Sequence, residues 1–106
     1  MNAVIVEDEE FAAKRLTKLV GELAPEIEIL ANINSVETGT RWFKSNALPD
    51  LVFLDIQLND GYGFDILDGM DDHPPVIFTT AYNEFAIRVL NTMGWIICLS
   101  PLLSLT

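Results

Sequence analysis

The sequence predicts an α/β fold, a doubly wound parallel sheet with helices on both faces. Three observations lead there. The apolar runs at residues 3–6, 51–54 and 76–78 are continuous rather than alternating, as strands buried on both faces require. Segments with helical spacing separate these runs, which is the pattern of right-handed βαβ units. Two of the runs end in acids, Glu7-Asp8-Glu9-Glu10 and Asp55. Carboxylates at strand ends would meet in the crevice where open α/β sheets bind their ligands.

Taken in order, residues 3–6 form the first strand. Phe11, Leu16, Leu19, Val20 and Leu23 then recur at helical spacing, with Lys14, Arg15 and Lys18 on other faces, and Pro25 closes that helix. Ile27, Ile29 and residues 30–33 make a second strand. Ser35 is a natural N-cap, since its hydroxyl can accept an otherwise unpaired amide of the first turn. The helix it starts runs to about residue 44, with Val36, Thr40 and Phe43 on one side. Pro49-Asp50 punctuates, and residues 51–55 are the third strand. Asn59-Asp60-Gly61 signals a turn. A short helix covers residues 64–70, Pro74-Pro75 ends the connection, and residues 76–79 form a fourth strand. Residues 83–90 read as a fourth helix and residues 95–99 as a candidate fifth strand.

With 106 residues, half of them hydrophobic, the chain can build one core and is too short for two. A net charge of −10 argues against a grip on nucleic acid phosphates or an anionic membrane. The one cysteine, Cys98, excludes an internal disulfide and fits a reducing, cytoplasmic setting. The apolar run at residues 3–6 is too short for a signal peptide. The apolar stretch at residues 95–105 is too short to span a bilayer and is broken by Pro101.

Glu7, Asp8 and Asp55 form the candidate site. Most acidic clusters are solvated loop charge, but both of these fall at strand ends that the fold brings together. Crowded carboxylates repel one another unless protons or a cation intervene, so the expected tenant is a hard divalent ion with oxygen ligands. Thr80, at the end of the fourth strand in Thr79-Thr80-Ala81, would stand over the same pocket, although a threonine there alone is more often a helix cap. Gly61-Tyr62-Gly63 lacks the third glycine of a phosphate-cradling loop and reads as turn chemistry. His73 reads as solvated, Cys98 as a small core residue, and Asp68, Asp71 and Asp72 as an exposed acidic face.

Four segments in this order resemble the receiver domain of two-component response regulators. They are Val4-Ile5-Val6-Glu7-Asp8-Glu9, Pro49-Asp50-Leu51-Val52-Phe53-Leu54-Asp55-Ile56-Gln57-Leu58, Gly61-Tyr62-Gly63-Phe64 and Val76-Ile77-Phe78-Thr79-Thr80-Ala81-Tyr82. The stretch Phe78-Thr79-Thr80-Ala81-Tyr82-Asn83-Glu84-Phe85-Ala86 is similar in particular to the LytTR-type (LytR/AlgR) regulators, whose output domain binds DNA. The resemblance covers residues 2–88. It implies a flavodoxin-like, five-stranded sheet of order 2-1-3-4-5. It also implies that Asp55 is the phosphoacceptor for a sensor histidine kinase, and that Glu7, Asp8, Asp55 and the backbone carbonyl of Gln57 hold Mg²⁺. Thr80 would hydrogen-bond the phosphoryl group and carry the change toward the fourth helix.

The resemblance fails at the end of the chain. Ser100-Pro101 stands where the family has a lysine followed by proline, and Ile97 where it has an aromatic switch residue. The family's fifth helix has no counterpart before Thr106. One origin accounts for all three departures. Residues 95–101 can be encoded as TGG ATT ATC TGC TTA AGC CCN, which read from the third base gives Asp-Tyr-Leu-Leu-Lys-Pro, the segment a LytTR-type receiver should have. A single-base deletion near codon 89 is therefore expected, with residues 1–88 family-like and residues 89–106 an aberrant tail; ordinary divergence is the rival. The expected protein is one receiver domain over residues 1–106 that keeps its metal acids and phosphoacceptor but signals poorly. A bare sheet face left by the missing helix would favour a homodimer or a tail-swapped oligomer. The alternative function is a phosphorylation-independent interaction module. A carboxylate-nucleophile phosphatase is disfavoured, because Asp55-Ile56-Gln57 lacks the second acid of an Asp-x-Asp pair.

Overall fold

A computed structural model describes residues 1–68, 70, 72–80 and 96–99, with Thr80 and residues 96–99 described by their backbone alone. The main sheet has five strands in the order β2-β1-β3-β6-β7. These are β1 (Asn2–Val6), β2 (Glu28–Ile33), β3 (Leu51–Asp55), β6 (Val76–Thr80) and β7 (Ile96–Leu99). Every pairing is parallel. A small antiparallel hairpin, β4 (Gln57–Leu58) and β5 (Gly61–Tyr62), follows β3. The expected doubly wound order is therefore present, and the candidate fifth strand occupies its edge position as β7. The expected helix at residues 83–90, the expectation about a fifth helix and the rest of the tail lie outside the described residues.

The continuous apolar runs arise because both faces of the sheet are covered. In β1, Val4 and Val6 join one cluster with Val52, Leu54, Val76 and Phe78, while Ala3 and Ile5 join another with Phe53. All four of those β1 residues are fully buried. Burying each large side chain among them contributes about 1.5–3 kcal/mol before entropy is counted. β2 differs because it is an edge. Its outward residues Glu28, Leu30 and Asn32 are exposed, so the segment alternates instead of being buried throughout.

Helix α1 (Glu10–Leu23) buries only Leu16 and Val20 from the expected apolar set. Phe11, five positions from Leu16, falls off that stripe and is 83 % exposed, and Leu23 in the last turn is also exposed. Both share the helical spacing of the apolar set without joining its buried stripe. The Lys14–Glu10 pair at 3.2 Å is solvent-exposed and adds only a few tenths of a kcal/mol.

Helix α2 (Val36–Ser45) starts as its sequence predicts. The hydroxyl oxygen of Ser35 accepts the Thr38 amide at 3.0 Å, and Phe43 reaches the core. Helix α3 (Phe64–Asp68) lies where a short helix was expected and buries Ile66 and Leu67 against α2's side of the sheet. Strand β6 runs one residue longer than expected, to Thr80.

Candidate metal centre

Parallel register gathers the acids. Val6 of β1 pairs with Leu54 of β3, which sets Glu7 level with Asp55 at the carboxyl edge of the sheet. Glu7, Asp8 and Asp55 each offer a carboxylate oxygen, and these oxygens all lie within 4.8 Å of one another. All three residues are half-buried. Local amides hold the carboxylates. The Glu9 N–H donates to Glu7 Oε2 at 3.1 Å, and the backbone N–H groups of Gln57 and Ile56 donate to the Asp55 carboxylate. The Glu7 amide itself donates to the Ile33 carbonyl at 2.8 Å, tying the acid-bearing loop to the end of β2.

Such crowding is visible in the acidities. Burial, together with the neighbouring carboxyls of Asp55 and Asp8, pushes the Glu7 carboxyl up to about 8. Asp55 is also raised, first by burial, although a hydrogen bond from Glu7 and its backbone donors pull the other way. The two raised carboxyls favour keeping a proton in the pocket. A pocket of oxygen donors whose charge has to be suppressed by protons fits a hard divalent cation, which would replace the proton.

The loop beyond Asp55 is built against the site. The Gly63 amide donates to the Ile56 carbonyl at 2.7 Å. A Cβ at Gly63 would collide with the backbone carbonyl oxygen of Asp55, so only glycine permits this approach. Gly61 has φ +154°, a conformation that L side chains rarely adopt, and it turns the hairpin. Asp60, from the hairpin turn, and Asp65, from the first turn of α3, accept backbone amides. The Asp60 carboxylate accepts the Val36 and Glu37 amides at the start of α2, and Asp65 accepts the Tyr62 amide at 2.9 Å. Those two backbone donors hold the Asp60 carboxyl below the usual range.

Comparison with known proteins decides the family. The family profile of the response regulator receiver domain matches residues 3–96. The chain belongs to that family. Sensory transduction protein LytT of Bacillus anthracis is 38 % identical over 91 residues, which is 83 % of this chain and 37 % of that protein. A response regulatory protein of Vibrio cholerae is 33 % identical over 104 residues, 95 % of this chain and 43 % of that protein. This receiver therefore spans less than half the length of the curated relatives it matches, and the LytTR-type resemblance fits them. Among solved structures, the response regulatory domain of protein mrkE from Klebsiella pneumoniae superposes with a TM-score of 0.78 at 25 % identity, covering 95 % of this chain and 84 % of that one.

Within the receiver, the structure brings together three of the five residues singled out from sequence. Glu7, Asp8 and Asp55 converge. Gln57 opens β4, two residues past Asp55, with an exposed side chain, so only its backbone faces the question of metal binding. Thr80 closes β6 in register with Leu99, one step past the pairing of Asp55 with Thr79, and its side chain lies outside the described residues. Thr79 carries a signal no sequence pattern showed. Its hydroxyl is buried and has no hydrogen-bond partner among the described residues. His73 is exposed as expected, with Nδ1 against the Pro74 carbonyl at 3.0 Å. Asp68 and Asp72 are exposed as well, whereas Asp71 and the Cys98 side chain lie outside the described residues. Gly63 and Asp60, which the sequence marks only as turn residues, have further roles that depend on atoms distant in the chain. Among the described residues no helix is long and apolar enough to cross a membrane.

Proposed function

We propose that this receiver accepts a phosphoryl group on Asp55 from a sensor histidine kinase, with Mg²⁺ held by Glu7, Asp8, Asp55 and the Gln57 backbone carbonyl. The observation that carries this reading is the convergence of three carboxylates at the carboxyl edge of β1 and β3. Mg²⁺ would neutralise the phosphoryl oxygens and help align them for in-line transfer. The chain supplies the rest. An Asp55 carboxylate oxygen forms the new bond to phosphorus as the bond to the kinase imidazole nitrogen breaks; the electron pair stays on that nitrogen, which takes a proton from water. The Ile56 and Gln57 amides fix the Asp55 carboxylate for the attack. Glu7 gives up its proton so that the pocket can hold the cation. Thr80, at the end of the neighbouring strand, accepts the role of contacting the phosphoryl group.

Ser100 stands where the family's lysine would form a charge-assisted bond to the phosphoryl oxygens, so the acyl phosphate should be formed poorly or lost quickly. The site would be cytoplasmic, where its kinase acts. A phosphorylation-independent module is the weaker reading, because charge repulsion among three half-buried carboxylates brings such a module no gain.

Beryllofluoride with Mg²⁺, a mimic of the phosphoryl group, tests the proposal by amide NMR. Shifts at Ile56, Gln57 and Gly63 in the wild type, absent in Asp55→Asn, are expected. An unresponsive wild-type pocket would show that Asp55 is not a phosphoacceptor.

A further inference from the structure

The Asp60 carboxylate spans a gap of more than twenty residues in sequence. Its Oδ1 accepts the Val36 amide at 2.8 Å and its Oδ2 the Glu37 amide at 3.1 Å. Ser35 takes the Thr38 amide. Three of the unpaired amides that any helix start presents are thereby satisfied, two of them by a residue at the tip of the β4–β5 hairpin. The contact is reinforced by shape, since a Cβ on Gly61 would stand 3.3 Å from Val36 Cγ2. The tip of the hairpin lies against the start of α2.

That contact matters because the hairpin cannot hold its own position. It pairs two residues with two, and so small an antiparallel ladder is marginal in water. Its placement depends on what ties it down. At the base, Gly63 bonds to Ile56; in the middle, Leu58 is buried in the core; at the tip, Asp60 bonds to α2. Gln57 lies between base and tip. The start of α2 is itself three residues from Ile33, whose carbonyl accepts the Glu7 amide. Asp60 therefore closes a circuit around the acid pocket. One side of the circuit carries Asp55 and Gln57, the other carries Glu7 and Asp8, and Asp60 joins them through α2 and the end of β2.

We propose that Asp60 is a positioning residue for the metal, a latch that fixes the Gln57 segment relative to the Glu7 segment without touching the ion. The inference rests on the reading that the pocket binds Mg²⁺. Groups that orient metal ligands from outside the coordination sphere typically cost 10–100-fold in affinity when removed, so Asp60→Ala should weaken Mg²⁺ binding by about tenfold. Asp60→Asn keeps an oxygen that can accept one amide and should recover part of the loss. In the metal-free protein, hydrogen exchange at the Glu7 and Gly63 amides should quicken in Asp60→Ala, because both bonds lie in the circuit.

A matched control separates the latch from simple destabilisation. Asp50 is also an exposed carboxylate that accepts a backbone amide, that of Asn2 at 2.9 Å, but it lies at the other end of β3. Asp50→Ala should leave Mg²⁺ affinity unchanged at whatever cost in melting temperature. The measurement is a Mg²⁺ titration followed by amide NMR, with thermal melts of the same samples. Equal affinities in the wild type and Asp60→Ala, or an equal loss in Asp50→Ala, would overturn the latch alone. No Mg²⁺ uptake by the wild type would overturn the phosphoacceptor reading, and the metal role of Asp60 with it.

Discussion

Glu7 sets how the acid pocket responds to pH. Its carboxyl is pushed to about 8 from an ordinary 4.5, chiefly by burial and then by its acidic neighbours. Between those two values the folded chain holds a proton that the unfolded chain has released. The protonated group therefore contributes stability that is fully present below about 4.5 and is lost as the pH rises through about 8. Asp55 is raised too and acts in the same direction. Thermal melts in chelator at constant ionic strength should show the melting temperature falling from pH 5 to pH 8. Glu7→Gln should flatten that fall, and Mg²⁺ should restore most of it at pH 8. A melting temperature that rises across the same interval would contradict this account of the pocket.

The hairpin and the turn into α3 show where local chemistry is decided by contacts far apart in sequence. Gly63 lies so close to the Asp55 carbonyl that any side chain must displace one or the other. Gly63→Ala should cost about 1–3 kcal/mol, the usual range for forcing extra atoms into packed structure. Urea denaturation measures the cost, and Mg²⁺ binding by the surviving folded protein should weaken, because the shift falls on the strand that carries Asp55. Sequence alone located this turn from Asn59-Asp60-Gly61 and placed the Ser35 cap correctly, since turn and cap signals are written in adjacent residues. It could not see that Gly63 abuts Asp55 or that Asp60 bonds to α2. Those facts depend on how β3 and α2 are placed side by side, and no local pattern encodes that placement. The same limit explains Phe11. Its spacing suited a helix, but which stripe of α1 would meet the sheet was set by Leu16 and Val20.

The fold itself was legible because burial on both faces leaves a plain mark. Runs such as Val4-Ile5-Val6 and Val52-Phe53-Leu54 have no polar member, since successive side chains enter the two clusters alternately. The acids stand out because they interrupt those runs at the same edge of the sheet. Leu54 is fully buried at the centre of the larger cluster, directly before Asp55. Leu54→Ala should destabilise the domain by about 2–5 kcal/mol, the range for truncating a core leucine. Chemical denaturation would check this, with Phe11→Ala as a near-neutral comparison because its ring is 83 % exposed. A small loss at Leu54 would mean that the core tolerates a cavity beneath the site.

The proton lodged on Glu7 makes the pocket an exchanger. Near neutrality that carboxyl is mostly protonated, so cation uptake there must return a proton to bulk water. Occupancy then answers to the acidity of the surroundings as well as to the supply of the ion. If the pocket holds a cation as proposed, a falling pH would drive that cation out by reprotonating Glu7, with Asp55 left in place.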